Sequence, residues 1–130
     1  MEKRFISWNY IDVATDELAK KIKESNLDID YIAGLPRGGL IPAVLLSHKL
    51  NIPLYTHHGD PSGFKILIVD DICDTGETLS IFKEYSKVVI HNKLSALVQP
   101  DFYYELVDKE WIVYPWEQKE SETIQDYKIK

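Results

Sequence analysis

Lys65-Ile-Leu-Ile-Val-Asp-Asp-Ile-Cys-Asp-Thr-Gly-Glu-Thr78 decides how this chain is read. Residues 65–70 form an apolar run without polar alternation, the pattern of a strand buried on both faces of a parallel sheet. Two acids close it, a turn follows through Asp74, Thr75 and Gly76, and Leu79 and Phe82 then recur at helical spacing in a helix expected over 77–85. Acids, hydroxyls and converging backbone N–H groups thus meet at one strand end. Adjacent carboxylates such as Asp70 and Asp71 accept hydrogen bonds from sugar hydroxyls or hold hydrated magnesium. Asp74, Thr75, Gly76, Glu77 and Thr78 suit a terminal phosphate. A plainer alternative is that the two acids merely end a strand, that Thr75 or Thr78 caps a helix, and that Gly76 makes a turn. Against it stands the repulsion of two neighbouring carboxylates, which a cation or hydroxyl donors must offset.

Upstream, residues 15–24 read as a helix capped by Thr15, with Asp16 and Glu17 in its first turn and Leu18, Ala19 and Ile22 on one face. A short strand over 29–33 runs into Gly34-Leu-Pro-Arg-Gly-Gly39, after which 40–50 has the apolar density of a buried helix. Residues 51–55 suggest another strand and 56–63 a polar loop. Downstream, 88–90, 96–98 and 103–107 are weaker strand candidates, 111–117 combines aromatic mass with a proline, and the tail over 118–130 is polar. Alternating strands and helices predict an α/β fold with a mainly parallel twisted sheet flanked by helices. In such folds ligands bind at the carboxyl ends of strands. With 130 residues, 45% of them hydrophobic, a single domain over 1–130 with one core is expected.

Composition narrows the function classes. The formal net charge of −6 repels a polynucleotide backbone, so nucleic-acid partners are not expected. No apolar run is long enough to span a bilayer, and the N-terminus lacks a signal-peptide pattern, which predicts no membrane partner and a cytoplasmic location. The one cysteine, Cys73, excludes an internal disulfide and reads as packing rather than as a nucleophile. His57 and His58 lack an evident third metal ligand. His48 and His91 read as structural or exposed, and Trp8 as packing.

Residues 69–78 resemble the phosphoribosyl pyrophosphate (PRPP) motif of the type I phosphoribosyltransferases: apolar residues, two acids, a short spacer, then Thr-Gly-x-Thr. Ala33-Gly-Leu-Pro-Arg-Gly-Gly-Leu-Ile-Pro-Ala43 resembles the pyrophosphate loop of the xanthine-guanine and related 6-oxopurine enzymes, and Lys109-Glu-Trp-Ile-Val-Tyr-Pro-Trp-Glu117 resembles their purine-binding segment. The three motifs occur in the family's order, and the similarity runs from about Ser7 and Trp8 to Glu117. It implies the type I fold with a reduced hood, a magnesium-dependent transfer of the phosphoribosyl group from PRPP to a 6-oxopurine, and a homodimer or higher homo-oligomer.

Residue by residue, the resemblance implies that Asp70 and Asp71 receive ribose hydroxyls and magnesium, and that Asp74, Thr75, Gly76, Glu77 and Thr78 hold the 5-phosphate. Asp74 also stands near the purine N7, as a general base or a hydrogen-bond acceptor. Pro36, Arg37, Gly38 and Gly39 grip pyrophosphate, with Arg37 supplying charge, and the Pro36–Arg37 bond is where the family often has a non-proline cis peptide. Trp111 stacks on the purine, Ile112 offers backbone contacts, and Glu117 takes the place of an aspartate that serves a second magnesium. Of Trp111 and Trp116, one is expected to fill the core. The family's lysine to the purine O6, found in a strand before a proline, corresponds to Gln99-Pro100, which leaves Gln99 as the purine contact. The 56–63 loop is shorter than the family's mobile loop. These two departures leave a non-catalytic PRPP or nucleotide sensor as the second expectation.

Overall fold

The computed structural model describes residues 2–56 and 59–118, so the polar tail beyond 118 and the His57–His58 pair lie outside the described residues. In chain order the elements are β1 (Lys3–Phe5), α1 (Trp8–Glu24), β2 (Tyr31–Gly34), α2 (Leu40–Leu50), β3 (Ile66–Cys73), the single turn α3 (Glu77–Ser80), β4 (Ser86–Asn92), β5 (Phe102–Leu106) and β6 (Trp111–Val113). Among the described residues β2, β3, β4 and β5 form a parallel sheet in that order, and β1 pairs with β6 in a separate parallel ribbon, the reduced hood. This is the α/β fold expected.

The unbroken apolar run of β3 is explained by burial on both sides. Leu67 and Val69 face α1 and α2 in a core with Ile11, Leu18, Ile32, Leu46, Val88 and Ile90. Ile66 and Ile68 face the opposite way, against Leu79, Val89, Ala96 and partly buried aromatics including Tyr31, Phe82 and Tyr103. Alternate residues of one strand therefore serve two cores, which leaves no position for a solvent-facing polar side chain. No helix among the described residues is long and apolar enough to cross a membrane.

Several boundaries differ from the sequence expectation. The first helix begins at Trp8 because Ser7, extended at φ −87° and ψ 161°, caps it by accepting from the Tyr10 N–H at 3.0 Å. Thr15 is no cap: it lies buried inside α1 and returns its hydroxyl to the Ile11 carbonyl at 2.8 Å, on the stripe that Ile11 and Ala14 extend upstream of Leu18. The strand expected over 51–55 reduces to one parallel bridge between Leu54 and Ile32, since Asn51 turns left-handed at φ +55° to close α2 and Pro53 has no N–H to give. The expected 77–85 helix stops after Ser80. Beyond it the chain tightens into three-residue turns, Phe82 N–H to Leu79 carbonyl at 3.0 Å and Tyr85 N–H to Phe82 carbonyl at 3.1 Å. Residues 96–98 form no strand. β3 runs three residues beyond Asp70, so both acids belong to the strand end itself.

Candidate active site

Parallel pairing gathers three loops at one rim of the main sheet. Gly34 at the end of β2 is level with Val69 of β3, and Cys73 at the end of β3 is level with Asn92 at the end of β4. Residues 35–39, 74–78 and Lys93 onward therefore leave neighbouring strands on the same side, where open α/β sheets bind ligands.

The 35–39 loop lies directly on the end of β3. Leu35 N–H donates to the Val69 carbonyl at 2.9 Å, and Gly39 N–H returns to the Leu35 carbonyl at 2.9 Å. A Cβ on Gly38 would stand 2.0 Å from Asp71 Oδ2, and one on Gly39 would meet the Val69 and Leu35 carbonyl oxygens at 2.5 and 2.7 Å. Glycine is required here by close approach: the loop and the acid occupy one another's van der Waals shells. The Pro36–Arg37 peptide is cis, as expected, and Arg37 is exposed at the loop tip.

Asp70 and Asp71 are half-buried. Asp71 Oδ1 accepts from the Ile72 N–H at 2.8 Å, and Asp70 Oδ1 accepts from the Asp71 N–H at 2.9 Å. Burial pushes the Asp71 carboxyl above the usual carboxylate range, against the lowering effect of its hydrogen bond with Asp70. Glu117, half-buried across the site, is pushed up as well, first by burial and further by the Asp71 charge, while its hydrogen bond to Tyr114 and the Arg37 charge oppose the rise. Glu117, Asp71 and Arg37 thus share one electrostatic neighbourhood. Raised carboxyls at one rim suit a cation or hydroxyl donors. Among the described residues, no three His, Cys, Asp or Glu side chains form a preformed metal cluster. The expected set Asp70, Asp71 and Glu117 is therefore an acidic wall and not a closed cage. Magnesium keeps several waters and commonly relies on substrate phosphates for ligands, so such a wall fits that ion.

Asp74 is exposed and forms an ion pair with Lys93 Nζ at 2.9 Å. Gly76 adopts φ +87°, and a Cβ there would meet the Val98 N at 2.6 Å, so the 74–78 turn is seated against the 93–98 loop. Leu97 N–H to the Thr75 carbonyl at 2.9 Å and Lys93 N–H to the Cys73 carbonyl at 3.0 Å complete the seat. Thr75 Oγ1 accepts from the Glu77 N–H at 3.2 Å, and Thr78 is half-buried. Because α3 is one turn long, the anion-binding capacity of this segment comes from its turn amides and hydroxyls, with little helix dipole behind them. Cys73 is buried against the Val98 carbonyl. Burial, with the Asp70 and Asp74 charges, pushes its thiol up to about 11, so it packs and does not act as a nucleophile.

Gln99 is not free to read a purine. Its Nε2 lies 3.1, 3.3 and 3.0 Å from the carbonyls of Lys93, Leu94 and Ala96, and its Oε1 accepts from Asn92 Nδ2 at 2.8 Å. The side chain closes the 93–98 loop, and Lys93 is the cation that this loop brings to the rim, paired with Asp74. Lys93 was not among the residues singled out in the sequence. The usable signal was the position of Lys93 directly after β4, level with the residues that follow β3.

In the hood, Trp111 is half-buried and Ile112 is buried, paired with Arg4 across β1 and β6. Trp111 N–H and the Val113 carbonyl bond toward β1, so strand alternation turns the Ile112 peptide groups to the opposite edge. Trp116 is the packing tryptophan: it stacks on Tyr114 with centroids 4.8 Å apart and planes 1° from parallel, and Trp8, largely exposed, tilts against it at 5.9 Å. His48 is exposed and His91 is fully buried.

Comparison with known proteins agrees with this geometry. No family model matches the chain. It is 31% identical, over 87% of its own length and 86% of the relative's, to a xanthine-guanine phosphoribosyltransferase of Idiomarina loihiensis. A second relative of that description, from Chromohalobacter salexigens, is 28% identical over 86% of this chain and 82% of its own. Among solved structures, a purine phosphoribosyltransferase of Pyrococcus horikoshii superposes with a TM-score of 0.79 at 36% identity, covering 96% of this chain and 99% of that one.

Proposed function

The chain belongs to the type I phosphoribosyltransferase family, close to its 6-oxopurine members, and from that membership we propose that it transfers the phosphoribosyl group of PRPP to a 6-oxopurine. The observation that carries the base class is the ion pair between Lys93 and Asp74, 2.9 Å apart at the rim beside Asp70 and Asp71. It sets a donor next to an acceptor. A 6-oxopurine protonated at N7 offers the complement, with O6 accepting and N7–H donating on one edge. Adenine puts an amino donor where Lys93 also donates, which is a repulsive match.

In the reaction, the bond from ribose C1 to the pyrophosphate oxygen breaks with its electron pair leaving on pyrophosphate. A purine nitrogen gives its lone pair to C1, and Asp74 takes the purine proton. Arg37 and the amides of residues 36–39 receive the departing anion. Asp70 and Asp71 accept the ribose hydroxyls and support positive charge on the sugar, the 74–78 turn holds the 5-phosphate, and Lys93 steadies charge developing on O6. Trp111 covers a face of the base, and the Ile112 peptide meets its remaining edge. Magnesium, held through Asp70 and Asp71 with Glu117 nearby, would neutralise the pyrophosphate when bound.

The test is nucleotide formation from PRPP with guanine, xanthine, hypoxanthine and adenine in the presence of magnesium. Turnover of at least one oxopurine, none of adenine, and a loss of about a hundredfold or more in Asp74→Asn are expected. PRPP binding without turnover of any base would remove the catalytic reading and leave a PRPP sensor in its place.

A further inference from the structure

One buried polar chain is left unused by that reaction. Tyr114, 3% exposed, donates its hydroxyl proton to the Asp71 carbonyl at 3.0 Å and lies 2.8 Å from His91 Nδ1. A carbonyl only accepts and a phenol has one proton, so His91 must supply Nδ1–H to the Tyr114 oxygen, which fixes its tautomer. The Tyr10 hydroxyl gives its one proton to the Glu105 carboxylate, which Arg4 grips with two N–H groups at 2.7 and 2.9 Å, and His91 Nε2 lies against the Tyr10 oxygen at 3.0 Å as a polar contact without a shared proton. The chain starts on the hood strand β1, crosses α1, β5 and β4, and ends on the backbone of a site acid.

The end point matters because of which carbonyl it is. Along β3 the Val69 carbonyl faces β2 and is satisfied by Leu35 N–H; by alternation the Asp71 carbonyl faces the same edge, past the point where β2 has ended. Without Tyr114 it would have no strand partner at a buried position. Tyr114 also belongs to the hood segment: its ring stacks on Trp116, its N–H donates to Glu117 Oε1 at 2.8 Å, and its carbonyl accepts from Glu117 N–H at 3.0 Å. One residue therefore fastens the hood segment to the peptide of Asp71, whose carboxylate in turn abuts Gly38.

We infer that Tyr114 is a positioning residue: through its hydroxyl it holds Asp71 in the geometry that receives PRPP, and so joins the sugar-phosphate half of the site to the purine half. The inference rests on the phosphoribosyltransferase reading above. Purine occupancy of the hood segment and PRPP occupancy of the β3 rim then favour one another, and the coupling is reciprocal.

The test is the Kd for PRPP with magnesium, measured by calorimetry for the wild type, Tyr114→Phe and Tyr10→Phe, with Tm recorded for each. Tyr114→Phe keeps the stack on Trp116 and removes the hydroxyl, with its bonds to Asp71 and to His91. It is expected to weaken PRPP about fivefold to tenfold, the range set by loss of one buried hydrogen bond. Tyr10→Phe cuts the same chain two links away and is expected to lower Tm while leaving PRPP affinity within about twofold. Equal PRPP affinity in Tyr114→Phe and wild type overturns the inference, as does equal weakening in both variants, which would make the effect one of general stability. If Tyr114→Phe does not fold, His91→Phe removes the donor that orients the hydroxyl while keeping a ring in the slot. Weaker PRPP binding by that variant supports the inference and unchanged binding overturns it. A wild type that binds no PRPP removes the phosphoribosyltransferase reading and this inference together, an outcome distinct from the variant results.

Discussion

Gly38→Ala isolates the contact between the 35–39 loop and the end of β3. The new methyl carbon would stand 2.0 Å from Asp71 Oδ2 and 2.8 Å from Cγ, where ordinary contact begins near 3.4 Å, so the carboxylate must withdraw by more than an ångström. It cannot rotate aside freely, because its other oxygen is held by the Ile72 N–H at 2.8 Å. The backbone of Gly38 itself is not left-handed, so alanine adds no conformational strain there and the damage is confined to the acid. A misplacement of that size costs about a hundredfold in rate, close to 2.7 kcal/mol of transition-state stabilisation. The assay is kcat/KM for PRPP under saturating purine and magnesium, alongside Tm to verify folding. A folded variant within about threefold of wild type would refute the claim that the Asp71 carboxylate, in this position, takes part in the reaction.

Two more outcomes follow from the same geometry. Lys93→Met should lower kcat/KM for the preferred oxopurine by about tenfold to a hundredfold while leaving the Kd for PRPP within about twofold, because the lost donor serves the base; steady-state kinetics on several purines check this, and an equal loss of PRPP affinity contradicts it. Burial holds the His91 imidazole down to about 4, against the opposing Glu105 charge, while the unfolded chain titrates this residue near 6.5. The unfolded state therefore binds the proton first on acidification, and a stabilisation of about 3 kcal/mol, complete above pH 6.5, is lost as pH falls toward 4. Urea unfolding at pH 7, 5.5 and 4.5 should show this slope in the wild type and its flattening in His91→Phe.

The fold was legible because β3 and the helix after Gly39 announce themselves without tertiary help. An apolar run too short for a membrane, ended by acids and a glycine turn, has few alternatives in an α/β chain. α2 also fell within its expected bounds, since a dense apolar segment between Gly39 and Asn51 is closed at both ends by residues suited to turns. Elements whose form depends on partners were less legible. Thr15 looks like a cap in sequence, and only the packing of Ile11 and Ala14 shows that the helix has already begun. Leu54 makes its single bridge because Ile32 is beside it, a fact absent from the local pattern.

In the site, the structure brings together residues of backbone-shaped motifs that the sequence named separately: Gly38 lies against Asp71, and Gly76 lies on the loop that Lys93 begins. Lys93 was passed over because its place at the rim is set by strand register and not by its neighbours in sequence, and the hydrogen bonds that tie Gln99 to its own loop are equally invisible in the local pattern. Tyr114 was missed for a related reason. A tyrosine among aromatics reads as bulk, and its hydroxyl acquires meaning only from a carbonyl 43 residues away.

The pairing of β1 with β6 also bears on the order in which the protein assembles. Lys3 finds its partner in Trp111, so β1 is paired only once β6, the last of the described strands, has been made. During synthesis the β2 to β5 sheet, with its rim loops, has all its sequence available before the hood can close, and such long-range closure is slow compared with local contacts. A nascent chain therefore passes through a stage in which the rim loops of the sheet are present and the β1–β6 ribbon is not.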